Sequence, residues 1–132
     1  MWRDEQLALD MLIHARWARD FNTGLTWEEF STDEMRQFAT QRALQVVGEA
    51  AWKVSDEYRR AHPEIAWAQI AGLRHRLVHD YTRIDQATVW EIVREHVEPL
   101  IAALEPLVPP PPETRSAAGD GTEGGGPGGG ER

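Results

Sequence analysis

The stretch STDEMRQFATQRALQVVGEAAWKV, residues 31–54, decides the fold. Ser31 and Glu34 have the spacing of a capping box, in which the hydroxyl accepts from an early helical N–H and the carboxylate reaches back. Behind them Met35, Ala39, Ala43, Val46, Val47, Ala50 and Val54 recur at intervals of three and four, which makes one apolar stripe on a long helix. The pattern predicts a helix that runs on to His62, because Pro63 pushes the residue before it out of the α region. Gly48 interrupts good helix formers at a cost of about 1 kcal/mol relative to alanine, so a neighbour is expected close against it. A one-faced helix of this length needs other helices to cover its stripe.

The flanking sequence supplies them. Leu7, Met11, Ala15 and Ala18 form the apolar side of a first helix, from about Arg3 to Phe21. Asn22 and Gly24 break it, and Thr26 with Glu29 makes a second capping box that starts only the short turn WEEF. A third helix is predicted from about Ile65 to Val78, with Ile65, Gln69, Ile70, Leu73, Leu77 and Val78 as its stripe. Asp85 is placed to cap a fourth, carrying Val89, Ile92, Val93, Val97, Leu100 and Leu104, with a kink at Pro99. No strand-like alternation or internal repeat is present. The expected fold is all-α, an antiparallel four-helix bundle with a short extra helical turn.

This bundle occupies residues 1–108. From Pro109 the chain becomes PPPPETRSAAGDGTEGGGPGGGER, which has nothing to bury and is expected to be a disordered tail over 109–132. Without the tail, 18 acidic residues still face 12 basic ones, so the net charge of −8 belongs mostly to the bundle. Such acidity excludes a protein that coats nucleic acid through a broad basic field, though not one with a small basic site. There are no cysteines, hence no disulfides or thiolate metal sites. The start, MWRDEQLALDML, does not resemble a signal peptide, and no run approaches the roughly 20 apolar residues of a membrane span. A cytoplasmic protein without membrane contact is expected. Thirteen arginines against the single Lys53, with many Ala, Pro and Gly, hint at a GC-rich bacterial genome.

On this acidic body the segment GLRHRLVHDY, residues 72–81, gathers Arg74, His75, Arg76, His79 and Tyr81. Arg74 and Tyr81 are seven residues apart and fall on nearly one helical face, whereas His79 is about 140° from Arg74. The three converge only if the helix ends near Val78. Arginine grips phosphate with a planar fork of donors, and histidine exchanges protons near neutral pH. Together they suffice to cleave RNA without a metal, His79 moving the proton and Arg74 stabilising the phosphorane. Two other readings of the same residues stay open. The arginines could form a solvated face paired with Asp80 and Asp85. His75 and His79, four apart beside Asp80, could hold zinc, although the Glu of a His-Glu-x-x-His site and a third ligand are missing. Glu49, beside Gly48, could salt-bridge an arginine of the third helix. The six tryptophans read as core or interface rather than as base-stacking platforms.

Arg74, four residues, His79, one residue, Tyr81 resembles the Arg-x4-6-His-x-Tyr signature of the HepT-like ribonuclease toxins of the HEPN superfamily. VVGEAAWKVSDEYR at 46–59, HPEIAWAQIAGLRHRLVHDY at 62–81 and VWEIVREHVEPLIAAL at 89–104 are similar to the same family in the same order. The resemblance implies a homodimer in which two Arg…His motifs face each other in an interface cleft, with Arg74 and His79 catalytic. Two copies of Arg74, joined by Arg76, would make a local basic cleft. His75, where the family most often has asparagine, and Glu49 would be supporting residues. No cofactor and no metal is implied for this chain. The implied partner is an MntA-like nucleotidyltransferase antitoxin that uses ATP to AMPylate Tyr81, in a type VII toxin–antitoxin module. The alternative is a non-catalytic helical partner of a nucleotidyltransferase that contributes to nucleotide binding.

Overall fold

The computed structural model describes residues 2–78 and 85–109, without the side chains of Trp2, Arg74 and Val78. Its elements are α1 (Trp2–Asp20), α2 (Trp27–Ser31), α3 (Glu34–Lys53), α4 (Asp56–Ala61), α5 (Trp67–Ala71), α6 (Leu73–Val78), α7 (Gln86–Glu95) and α8 (Val97–Leu104). A 3-10 turn over Glu105–Leu107 closes them. The protein is all-α, and among the described residues there is no strand. None of the described helices is long and apolar enough to cross a membrane. The tail expected over 109–132 lies outside the described residues, apart from Pro109.

Four legs make the bundle: α1, α3 with α4, α5 with α6, and α7 with α8. The stripe of α1 is realised, with Met11, Ala15 and Ala18 fully buried against Ala43, Leu44, Val47 and Ala51 of α3. Asn22 is more than a turn former. Its amide donates to the Ala18 carbonyl at 2.7 Å and to Thr40 Oγ1 at 3.0 Å, in the buried angle between α1 and α3. Gly24 takes φ +78, which only a residue without Cβ adopts readily, and so turns the chain toward α2. The Thr26–Glu29 capping box forms as its spacing predicts.

The long helix differs from expectation at both ends. Its N-cap is Asp33, whose carboxylate accepts from the Arg36 N–H at 3.0 Å and from Arg36 Nε at 3.1 Å. Ser31 instead closes α2 by donating to the Glu28 carbonyl. Both Ser31 and Asp33 are good caps; the ionised one also pairs with an arginine and with the helix dipole. Met35, outside the turn that faces α1, is 82% exposed rather than part of the buried stripe.

At the other end α3 stops at Lys53, nine residues before His62. Val54 is extended, and Ser55 caps α4 by accepting from the Tyr58 N–H at 3.1 Å. Asp4 of α1 fixes this break, accepting from the Ser55 N–H at 2.9 Å and from its hydroxyl at 2.7 Å. Burial pushes the Asp4 carboxyl up, but the two Ser55 hydrogen bonds together with nearby positive charge, Arg3 included, hold the group below its ordinary value.

The third leg is almost continuous. Gly72 separates α5 from α6, yet its N–H reaches the Ala68 carbonyl and its carbonyl receives the Arg76 N–H, so the axis carries through. Gln69, expected in the apolar stripe, is exposed. In the fourth leg Asp85 caps α7 as predicted, and the interruption falls at His96 rather than at Pro99. Pro99 has no N–H for the Glu95 carbonyl and its ring crowds that carbonyl, so the helix breaks three residues upstream.

Candidate functional site

The Pro-x-x-x-Trp lead-in before the charged segment has a mechanical reading. Trp67 is buried and its indole N–H donates to the His62 carbonyl at 2.9 Å, which fixes the chain reversal before α5. Tyr58 closes this corner, its ring centroid 4.5 Å from that of His62 and 6.0 Å from that of Trp67. Desolvation there raises the Tyr58 hydroxyl above its ordinary pKa, with Glu5, Asp4 and Glu64 adding to the effect. The corner sets the start of α5, and the near-continuous axis passes that position on to α6.

α6 carries Arg74 in its first turn, between the buried anchors Leu73 and Leu77 that face the core. His79 and Tyr81, and the side chain of Arg74, lie outside the described residues, as does Asp80. His75 and Arg76 are both exposed on α6. Arg76 is the arginine of this segment whose side chain is described. Glu49 is exposed on α3, next to the buried Gly48. Among the described residues Glu49 has no ion pair; of the third-leg arginines expected to meet it, Arg74 has its side chain outside the described residues.

Asp85, weighed as a partner for the arginines, is committed elsewhere. Its carboxylate accepts from the Thr88 hydroxyl at 2.9 Å and from the Ala87 N–H at 3.0 Å. The Thr88 hydroxyl, followed by the Ala87 N–H, holds it below the usual carboxylate range. On the same leg Glu91, Glu95 and His96 bring their ligand atoms within 4.8 Å of one another. No spacing argument singled this group out, and all three residues are exposed on a helix surface, where such acidic clusters are common.

Two faces escaped the sequence reading. On α3, Met35 and Phe38 are exposed together with Glu49 and Trp52, and the four span only about 100° of the helix. Between the third and fourth legs there is an open cavity of about 520 Å³ with Arg76 on its rim. Both features come from what tertiary packing leaves uncovered. The first had a signal in the sequence, since Phe38 falls outside the stripe of the long helix.

The helical bundle, with the Trp67 corner leading into α5 and α6, is that of a small all-helical protein, and its likeness to known proteins names its class. Residues 11–107 match the family model described as ribonuclease HepT-like. A protein of Thermococcus cleftensis named "Probable ribonuclease HepT" is 35% identical over 88 residues, which is 67% of this chain and 80% of that protein. One from Methanocaldococcus jannaschii, provisionally named an RNase, is 32% identical over 96 residues, 73% of this chain and 88% of its own. Another, from Caldanaerobacter subterraneus and likewise provisionally named, is 31% identical over 77 residues, 58% of this chain and 69% of its own. No solved structure gives a significant match. The chain belongs to the ribonuclease HepT-like family, and it is an enzyme of the ribonuclease class.

Proposed function

We propose that the protein is a metal-independent endoribonuclease, the toxin of a type VII toxin–antitoxin module, with Arg74 and His79 catalytic. The observation that carries the reading is the sequence Arg74-x4-His79-x-Tyr81 in a chain of this family, with Arg74 borne on a helix anchored by Leu73 and Leu77. His79 takes the proton from a ribose 2′-hydroxyl, whose oxygen attacks the adjacent phosphorus. The bond to the 5′-oxygen breaks as that oxygen gains a proton, leaving a 2′,3′-cyclic phosphate and a 5′-hydroxyl. A second His79, from a partner copy, supplies that proton as general acid. Arg74 neutralises the charge that grows on the phosphorane oxygens.

The working form in this reading is a cytoplasmic homodimer. The exposed Met35 and Phe38 on α3 support it, because neighbouring large apolar side chains in water mark an interaction surface. The off switch is Tyr81: its hydroxyl oxygen attacks the α-phosphorus of ATP on a nucleotidyltransferase antitoxin, and pyrophosphate leaves. An adenylyl group there adds negative charge and bulk where an RNA phosphate must sit. The purified chain should cleave RNA in EDTA and yield cyclic-phosphate ends, and Arg74→Ala should lose the activity while keeping its helical circular dichroism. Cleavage that requires an added divalent ion would refute the metal-independent mechanism. Incubation with the neighbouring nucleotidyltransferase and ATP should add adenylyl mass to the peptide holding Tyr81, and Tyr81→Phe should prevent it.

A further inference from the structure

The cavity between the third and fourth legs follows from how they pack. α5 and α6 lie against α3, whereas α8 lies against α1, and about 520 Å³ stays open between them. Ala15, Leu44 and Val47 form part of its lining from the core side, and Ile70, Leu73 and Leu100 line it from the two legs. A void of this size is far larger than the packing defects of a protein interior and lies within the range of small-molecule sites, roughly 300–1,000 Å³. Its lining is mostly apolar, with ionisable side chains only at three exposed residues, Glu64, Arg76 and His96. Glu64 is turned to His62, at 3.6 Å, and His96 sits beside Glu91 and Glu95. Arg76 is left without an ion pair among the described residues.

We propose that this cavity binds a small amphipathic organic anion, its apolar body against Ile70, Leu73 and Leu100 and its carboxylate, sulfonate or phosphate head on Arg76. The chain carries a net charge of −8, so a guanidinium that has no ion pair among the described residues and borders an apolar cavity is a selective anchor on a surface that otherwise repels anions. Neither the apolar wall nor Arg76 is a catalytic group of the nuclease reading, so the site does not depend on it.

The probe is 8-anilinonaphthalene-1-sulfonate on the full chain, compared with N-phenyl-1-naphthylamine, which has the same rings without the sulfonate. The sulfonate should bind saturably at one site per chain. Arg76→Gln should weaken it about fivefold, the size of one partly exposed charged contact, and leave the neutral probe unchanged. Ala103→Trp, which fills the cavity, should remove both. Gln69→Trp, on the cavity's exposed edge, serves the same purpose if Ala103→Trp loses its helical circular dichroism. Equal sulfonate binding by wild type and Arg76→Gln would overturn the anchor. Binding that survives the filling variants would place the probe on another surface, such as Met35 and Phe38, and absence of saturable binding would show the cavity closed or covered by another chain.

Discussion

Where α1 runs along α3 the contact is closed at both ends by polar groups, Asp4 on Ser55 at one and Asn22 on Thr40 at the other. Where α5–α6 faces α8 the lining is apolar, no such staple is present among the described residues, and a cavity remains. The first contact has small residues on both sides, Ala15 and Ala18 on α1 and Ala43 and Ala51 on α3, so the backbones can approach. The second brings together a leg that follows α3 along both of its helices and a leg whose α8 follows α1.

The contrast can be broken by truncation. Met11→Ala, fully buried in the closed half, should cost about 2–5 kcal/mol, the range for removing a large buried apolar side chain. Denaturant midpoints measure it. Asp4→Ala should cost about 1–3 kcal/mol by leaving Ser55 without its acceptor at the α3–α4 break. That contribution has a definite pH sign. The folded pKa of Asp4 lies below its unfolded value of about 3.9, so the stabilisation is present above pH 4 and fades as pH falls through the folded value. The gap in stability between wild type and Asp4→Asn should accordingly shrink on acidification from pH 6 to pH 3, and a gap that widens would reverse the assignment.

Leu100→Ala, half-buried on the cavity wall, should cost only about 1 kcal/mol, since part of the space it leaves is already open. A loss as large as that for Met11 would mean the cavity is filled in solution. The smallest effect belongs to Gly72→Ala. Gly72 has ordinary αR geometry, and an added Cβ would meet the Ala68 and Gln69 carbonyl oxygens at 3.4 Å, so a gain of about 0.5 kcal/mol is expected in thermal melts.

Much of this architecture is legible in the sequence because amphipathic period and polar caps act locally. The Thr26–Glu29 box, the Asp85 cap and the α1 stripe are each written within a few residues and survive folding unchanged. The break at Lys53 is not, because the apolar period runs through it and the deciding partner, Asp4, is 51 residues away. Ser55 followed by Asp56 and Glu57 is a helix-start signal that a stronger periodicity masks. In the site, the pairing of residue types named Arg74 and His79, and spacing alone could not separate catalysis from a solvated face. Arg76 shows the limit from the other side: grouped with Arg74 by sequence, it also lines a cavity that no local period reveals.

The central claim concerns His79 and is best tested by single-turnover cleavage of a short RNA in EDTA, wild type against His79→Ala, with folding checked by circular dichroism. Loss of one proton-transfer group should lower the rate by about 10²–10⁴-fold while the helical signal stays unchanged. Equal cleavage by a folded His79→Ala, or no cleavage by either protein, would contradict the account and favour a binding partner of a nucleotidyltransferase.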